Sequence, residues 1–286
     1  MGVDRLQLQR LELKYLISED TALGVRDFVR SYLELDEYAE INRPELRRPN
    51  YWYTIHSLYL DSDHLKTYWD TMNGDKNRYK LRLRYYNDGP EDPVFFEIKR
   101  RVNDAILKQR GGVKRGAVDQ LLSGHLPEPD YMLGTQPKHF AALQRFCQLM
   151  LDIQARPKAH VSYLREAWVS THDNSVRVTI DREVKIGFEP SSRLTTELGP
   201  TVMPFKPWVI LELKFTGRFP NWFRDIVQIF GLVRTSAAKY AEGVAEIGEH
   251  VFRLRESASA DADEHRPQDG AGTRNSTSAL ELKMAR

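Results

Sequence analysis

Basic side chains recur at every second position in several segments that have the composition of β-strands. Alternate residues of a strand point to opposite faces, so Lys80, Arg82 and Arg84 of the segment YKLRLRYY share one face, and Leu81 and Leu83 share the other. The same alternation occurs in RLELKY, FFEIKR, VRVTIDREVKI and ILELKF. Because guanidinium forks match phosphate oxygens, such polar faces could bind an anion that carries phosphate groups.

The polar faces of these five segments concentrate positive charge. They carry ten bases and five acids, a net charge of +5, whereas the whole chain has a net charge of +2. The ten bases are Arg10, Lys14, Lys80, Arg82, Arg84, Lys99, Arg101, Arg177, Lys185 and Lys214. The five acids are Glu12, Glu97, Asp181, Glu183 and Glu212. The near-neutral total therefore conceals a basic surface that follows the strands.

Two interpretations of this surface stay open from the pattern alone. It could be the solvated face of an antiparallel sheet with cross-strand ion pairs. If the sheet closes with helices outside, the same face instead lines a lumen, whose positive field requires an anion such as a polyphosphate chain. The acids in such a lumen would be ion-pair partners or metal ligands, and ligation by oxygen alone suits Mg²⁺ or Mn²⁺.

The composition limits the class of protein. The 286 residues contain 42 Lys and Arg and 40 Asp and Glu, without the basic excess that is typical of nucleic-acid binding. The single cysteine, Cys147, excludes an intrachain disulfide and a cysteine-based zinc site. No apolar run has the length of a signal peptide core or a membrane span. We therefore expect a cytoplasmic protein with no nucleic-acid partner and no direct membrane insertion.

Long strand segments with interspersed helical segments favour an α+β fold over a βαβ array. Helical patterns include SEDTALGVRDFVRSYLEL, with Ser18 as the N-cap, KHFAALQRFCQLML, NWFRDIVQIFGL and AAKYAEGVAEIGEHVF. No linker divides the chain before its end, so one folded domain is expected at 5–255. The last segment, 256–286, is rich in Ala, Asp, Gly, Ser and Thr, and we expect a disordered C-terminal tail.

The order of the motifs resembles a known family, the polyphosphate polymerase domain of the vacuolar transporter chaperone (VTC), within the triphosphate tunnel metalloenzymes. The motifs are RLELKY, SLYLDS, YKLRLRYY, FFEIKRR, SYLREA, VRVTIDRE, ILELKF and SAAKY, which together span roughly residues 8–245. The resemblance implies an antiparallel eight-stranded β-barrel tunnel with helices packed outside. It also implies transfer of the γ-phosphate of ATP onto an inorganic polyphosphate chain, with Mn²⁺ as the usual metal.

The resemblance assigns roles to individual residues. It implies three catalytic lysines, which are Lys14, Lys99 and Lys239. It implies five substrate-binding bases, which are Arg82, Arg84, Lys108 (or its neighbour Arg110), Arg165 and Arg177. It implies Glu212 as the ligand of Mn²⁺ or Mg²⁺, and ATP with polyphosphate or triphosphate as the partners. A membrane-protein partner stays open.

Two alternatives to polymerase activity remain. The first is hydrolysis of inorganic or organic triphosphates in the same tunnel, and the second is a module that binds polyphosphate or nucleotide without turnover. Related tunnel triphosphatases begin with ExExK, and Arg10 replaces the first glutamate here. That replacement favours the polymerase branch over a hydrolase whose two metals rest on both glutamates.

Overall fold

Nine β-strands form one antiparallel sheet in the part of the chain that the structure, a computed structural model, describes: residues 10–41, 51–103, 105–171 and 175–253. The strands are β1 (Arg10–Ile17), β2 (Glu34–Leu35), β3 (Trp52–Asp61), β4 (Asn77–Tyr85), β5 (Val94–Val102), β6 (Ala105–Val113), β7 (Arg156–Val169), β8 (Val176–Phe188) and β9 (Val209–Thr216). The described residues belong to one compact unit that ends at Arg253. The predicted tail at 256–286 and the predicted domain limits at 5 and 255 lie outside the described residues and stay predictions.

Eight α-helices accompany the strands within these ranges. They are α1 (Glu19–Val29), α2 (Glu37–Ile41), α3 (Lys66–Met72), α4 (Val118–Leu122), α5 (Pro137–Asp152), α6 (Asn221–Ile229), α7 (Lys239–Ile247) and α8 (Glu249–Arg253). The predicted α+β class is therefore confirmed. None of the helices in the described ranges is long and apolar enough to cross a bilayer.

The sheet is not closed by backbone pairing. Its hydrogen-bonded order is β1-β9-β8-β7-β3-β4-β5-β6, with the two-residue β2 beside β7. Strands β1 and β6 are the two ends of this order, and the described residues show no pairing between them. The predicted closed eight-stranded barrel is therefore not confirmed. The sheet nevertheless curls enough for Glu12 of β1 to contact Lys99 of β5 at 3.2 Å.

Strand register aligns the basic residues of the central strands. Lys80 of β4 lies opposite Lys99 of β5, which lies opposite Lys108 of β6. The intervening Leu81 and Leu83 are fully buried on the other face, as the alternation predicts. The polar face of the central strands is thus continuous across the register.

Helices cover the apolar face. Helix α5 buries Leu143, Phe146 and Met150, which lie three and four residues apart on one side of the helix, against β5 and β6. The rings of Phe96 and Phe146 meet edge to face at 4.9 Å between centroids. A Cβ at Gly111 of β6 would lie 2.9 Å from a backbone oxygen of α5, so glycine permits this close packing. Helices α1 and α6 cover β8 and β9 in the same way.

Two local expectations from the sequence differ from the structure, and a third is confirmed. The segment AAKYAEGVAEIGEHVF forms two helices, α7 and α8, because Gly248 between them has φ of 100° and ends the first. The segment of β6 did not have a strand-like pattern, since KQRGG lacks β-branched residues. Ser18 caps α1 as predicted, since its side chain accepts a hydrogen bond from the backbone of Thr21 at 3.1 Å.

The parity prediction is wrong in the second half of β8. Its register against β7 shifts between Ser162 and Leu164, and Glu183 has φ of 48°. An irregularity of this kind exchanges the two faces of a strand. Glu183 and Lys185 therefore pair with each other at 3.4 Å and do not line the cavity described below.

Candidate functional site

The curled sheet encloses a cavity of about 770 Å³. Among the described residues, its walls carry fifteen lysines and arginines and three carboxylates. All nine predicted site residues line it, namely Lys14, Lys99, Lys239, Arg82, Arg84, Lys108, Arg165, Arg177 and Glu212. The structure thus brings the nine together around one space, and their individual roles stay predictions. Low-dielectric walls that carry one sign of charge focus the field on whatever occupies such a space.

Glu97 organises the bases on β4 and β6. Its carboxylate is fully buried and accepts hydrogen bonds from Arg82 at 2.9 Å, and it lies 2.6 Å from Lys108 and 3.8 Å from Arg84. Burial alone would raise the pKa of Glu97, but Arg84, Arg82 and Lys108 hold the pKa well below its ordinary value. The carboxylate is therefore an ion-pair partner that fixes three bases at the cavity wall.

Asp181 has the same role on the other side of the cavity. It is fully buried and forms a bidentate pair with Arg165, in which both N–O distances are 2.7 Å. Lys239, the first residue of α7, lies 2.8 Å from the same carboxylate. Burial lowers the pKa of Lys239, but the neighbouring carboxylates of Asp181 and Glu212 outweigh it and raise the pKa. Arg177, on the same strand as Asp181, pairs with Asp36 instead.

Close packing of α7 on β8 places Lys239 at this point. A Cβ at Gly243 would lie 2.5 Å from Ile186, so only glycine allows the helix to approach the strand this closely. The amine of Lys14 donates to the backbone oxygen of Ala237 at 2.9 Å, which ties the segment before α7 to β1. Together these contacts hold the SAAKY segment against the cavity.

Glu212 is surrounded by cations. Its carboxylate lies 3.3 Å from Lys14 and 3.5 Å from Arg165, pairs with Lys214, and accepts a hydrogen bond from Thr179 at 3.1 Å. Burial alone would raise the pKa of Glu212, but Lys214 and Lys14 hold the pKa well below its ordinary value. The carboxylate is ionised at neutral pH and is engaged by protein cations.

The carboxylates of the cavity suit a divalent cation whose remaining ligands are supplied by substrate phosphates. The described residues contain no group of three or more His, Cys, Asp or Glu side chains that could hold a metal ion. Glu12 and Glu212 are linked through Lys14, which lies 3.4 Å from the first and 3.3 Å from the second. Ions such as Mg²⁺ are commonly bound by one or two carboxylates together with substrate phosphates. These two glutamates therefore fit a cation that is coordinated mainly by phosphate oxygens.

Tyrosine hydroxyl groups hold three of the predicted substrate-binding arginines. The pairs are Arg82 with Tyr59 at 3.0 Å, Arg84 with Tyr163 at 3.0 Å, and Arg177 with Tyr53 at 3.4 Å. The sequence argument missed these tyrosines, although the alternation in β3 places residues 53 and 59 on one face. It also missed Asp36, which pairs with Arg177 at 2.5 Å. No strand or motif pattern marks Asp36, because it lies between β2 and α2.

Lys80 and Lys214 also line the cavity. Both belong to the basic faces of the strands, but the sequence did not predict either as a site residue. Lys80 forms no ion pair with the described residues, and its amine lies 5.9 Å from the centroid of the Tyr240 ring. Burial and the nearby charges of Lys14 and Lys99 lower the pKa of Lys80 to about 8, although Tyr59 opposes the shift. Burial likewise lowers the pKa of Lys214 to about 8. Among the described residues, Lys80 is therefore a cation without a carboxylate partner.

A curled antiparallel sheet around a cavity with this charge is suited to bind a multiply charged anion. Residues 9–247 match the family model described as the VTC domain, and the chain belongs to that family. The resemblance seen in the motifs is thereby confirmed.

A curated relative is the vacuolar transporter chaperone complex subunit 2 of Schizosaccharomyces pombe (strain 972). It is 23% identical over 261 residues, which cover 76% of this chain and 36% of the relative. The chain thus spans about a third of the length of that relative.

Two solved structures were also found to be similar. One is a protein provisionally assigned as an adenylate cyclase from Bacillus halodurans, with 14% identity, a TM-score of 0.43, and coverage of 80% of this chain and 94% of that chain. The other, with the same provisional assignment, is from Vibrio parahaemolyticus, with 11% identity, a TM-score of 0.39, and coverage of 82% and 97%. Neither likeness is close enough to support an argument about this chain.

Proposed function

We propose that the cavity binds the triphosphate of ATP beside the end of an inorganic polyphosphate chain, and that it transfers the γ-phosphate onto that chain in a metal-dependent reaction. The observation that carries this proposal is the excess of fifteen bases over three carboxylates around one cavity. Membership of the VTC domain family supports it. A polyphosphate chain is the kind of anion whose repeated charge matches bases spread along several strands.

Four arginines are suited to hold the triphosphate, which are Arg82, Arg84, Arg165 and Arg177. Each is already fixed by a buried carboxylate or a tyrosine hydroxyl group. Donors that are held in place before the substrate arrives need little reorganisation when charge develops on the phosphate oxygens. The ion pairs inside the cavity therefore position the arginines for phosphate binding.

The three lysines Lys14, Lys99 and Lys239 are placed to surround the transferring phosphate or the chain that accepts it. A divalent cation, Mn²⁺ or Mg²⁺, would be held by Glu212 with Glu12 and would neutralise charge on the phosphate oxygens. Lys14 contacts both glutamates, and Lys239 lies 3.6 Å from Glu212. The lysines therefore lie beside the carboxylates that complete the site.

The transfer itself requires little covalent chemistry from the protein. A terminal oxygen of the polyphosphate chain forms a new bond to the γ-phosphorus of ATP. The bond between that phosphorus and the oxygen bridging it to the β-phosphate breaks, and ADP leaves with the electron pair. The attacking oxygen is already anionic, so the step needs no histidine or serine base.

The experiment is product analysis after incubation of the protein with ATP and Mn²⁺, and separately with Mg²⁺. We expect long-chain polyphosphate on a gel, and its loss in the variant Glu212→Gln. Release of orthophosphate without chain growth would contradict the proposal and favour the triphosphatase. ATP that binds in a calorimeter but stays intact would also contradict it and favour the binding module. The variant Arg193→Ala, whose side chain lies outside the cavity, is the control.

A further inference from the structure

Three tyrosines form an aromatic cluster at one end of the cavity. The rings of Tyr38 and Tyr86 are stacked, with centroids 5.6 Å apart and planes 11° apart. Tyr53 contacts both rings, with centroids at 5.8 Å and 6.2 Å. All three residues line the cavity. We call Tyr38, Tyr53 and Tyr86 the tyrosine cluster.

The cluster is tied to a phosphate-binding base. The carboxylate of Asp36 accepts the backbone N–H of Tyr38 at 3.1 Å with one oxygen and the guanidinium of Arg177 at 2.5 Å with the other. Arg177 also reaches the hydroxyl group of Tyr53 at 3.4 Å. Asp36 therefore links the backbone of Tyr38 to Arg177, and Arg177 contacts Tyr53 directly.

A row of bases along β4 leads to one member of the tyrosine cluster. The residues of β4 and just beyond it that line the cavity are Arg78, Tyr79, Lys80, Arg82, Arg84 and Tyr86. Tyr86 lies four residues beyond Arg82, which is about 13 Å along an extended strand. That span suits a ligand whose phosphates lie on the arginines and whose other end reaches the tyrosines.

Tyr38 presents an aromatic surface to such a ligand. Its residue is 43% exposed even though one side is stacked on Tyr86. Stacking on aromatic side chains is a common way for proteins to bind nucleobases, and it tolerates any base because every base has a π-face. An inorganic triphosphate has no group that could use such a surface. An aromatic cluster beside a row of arginines therefore fits a nucleotide better than it fits a bare phosphate chain.

We propose that the tyrosine cluster is a subsite for the base of a nucleoside triphosphate whose phosphates lie on Arg177, Arg84 and Arg82. The inference rests on the proposed function in one respect, the placement of the triphosphate on these arginines. It does not depend on what happens to the γ-phosphate afterwards. The subsite makes the cavity selective for nucleoside triphosphates over inorganic ones, with little preference among bases.

The test is calorimetric titration of ATP and of tripolyphosphate into the wild-type protein and into Tyr38→Ala and Tyr86→Ala. We expect the Kd for ATP to rise 5- to 20-fold in both variants, and the Kd for tripolyphosphate to change less than twofold. GTP should lose as much affinity as ATP. Tyr38→Phe keeps the ring and should keep the wild-type affinity, whereas Tyr38→Leu should behave as the alanine variant. Tyr32→Ala is the matched control, because Tyr32 is an exposed tyrosine stacked on Trp222 outside the cavity.

The outcomes separate this proposal from the proposed function. Equal losses for ATP and tripolyphosphate, or no loss for either, would overturn the nucleobase subsite even if polyphosphate is synthesised. A selective loss for ATP supports the subsite even if no polyphosphate is synthesised. A wild-type protein that binds neither ligand would overturn both. Thermal melting of each variant checks that the changes in affinity occur in folded protein.

Discussion

Glu12 of β1 and Lys99 of β5 form an ion pair of 3.2 Å between the first strand of the sheet order and the next-to-last one. The described residues show no backbone pairing between the two end strands, β1 and β6. Side chains therefore hold the sheet in its curled form at this point. Both residues line the cavity, so the contact that shapes the sheet also lies within the candidate site.

The first prediction concerns this contact. We expect Glu12→Gln to lower the free energy of unfolding by about 0.5–1 kcal/mol at pH 7, a modest loss because the pair is partly exposed. Burial raises the pKa of Glu12, but Lys99 and Lys14 outweigh it, so the folded pKa lies below the ordinary value of 4.5. The stabilisation is therefore present above pH 4.5 and is lost as the pH falls further below it.

Urea unfolding of wild type and Glu12→Gln at pH 7 and pH 3.5 measures this difference. The two proteins should differ most at pH 7, and the difference should become smaller, without vanishing, at pH 3.5. Glu183→Gln, which changes the exposed pair between Glu183 and Lys185, is the control and should behave as wild type at both values. A difference that grows towards acid pH is incompatible with the ion pair as the cause.

The second prediction concerns the buried anchor of Arg165. We expect Asp181→Asn to destabilise the protein by about 3 kcal/mol, because Arg165 and Lys239 would be left buried without the charge of their shared partner. Asp63→Asn is the matched control, since Asp63 pairs with Lys158 at 2.7 Å but is 40% exposed. Urea unfolding gives both values. Equal losses in the free energy of unfolding of the two variants would show that burial of the pair between Asp181 and Arg165 does not increase its contribution to stability.

The third prediction concerns the paired arginines of β4. We expect the double variant Arg82→Ala with Arg84→Ala to raise the Kd for tripolyphosphate by about 30-fold or more, since two charge-assisted hydrogen-bond donors are removed. The double variant Arg30→Ala with Arg193→Ala removes two bases that lie outside the cavity. Its affinity should change less than twofold at physiological salt. Similar losses in the two double variants would mean that only overall charge matters.

The fourth prediction concerns pH. Because burial and neighbouring cations lower the pKa of Lys80 to about 8, this lysine loses its charge between pH 7 and pH 9. Its attraction for an anion is present below that range and lost above it. Lys80→Arg keeps the charge throughout, so it should match wild type at pH 7 and bind tripolyphosphate about fivefold more tightly at pH 9.

The ratio of the two affinities is the quantity to measure, because titration of the ligand itself is common to both proteins. A ratio that stays constant from pH 7 to pH 9 would contradict the assignment of Lys80 as an anion-binding group.

Burial raises the pKa of Tyr59, but Arg82 and Lys80 outweigh it and lower the pKa to about 8. Ionisation of Tyr59 over the same range would weaken anion binding in both proteins.

Strand alternation in the sequence was enough to predict much of the cavity wall. In β4 the leucines at 81 and 83 are fully buried, while Lys80, Arg82 and Arg84 line the cavity. A regular strand in a sheet with one apolar face allows only this arrangement, because a shift of one residue would bury the charges in the apolar core that holds Leu81 and Leu83. The α+β class followed from the same patterns.

Features that depend on local irregularity or on distant parts of the chain could not be predicted in this way. Lys185 was assigned to the basic face, but the shifted register of β8 places it elsewhere. Asp181 pairs with Arg165 on β7 and not with Arg177 on its own strand. The alternation along one strand does not show which residue of a neighbouring strand lies within reach. Asp36 and Tyr38 lie in a segment with no repeating pattern, so only the fold brings them to Arg177.

The central claim, that the cavity is the site of a polyphosphate chain, is tested most directly by calorimetric titration of the wild-type protein with tripolyphosphate at low and at physiological salt. We predict that each protein molecule binds tripolyphosphate at one saturable site. The affinity for tripolyphosphate should fall strongly as salt increases, and it should far exceed the affinity for orthophosphate. The absence of binding at low salt, or an affinity for tripolyphosphate no greater than that for orthophosphate, would contradict the claim.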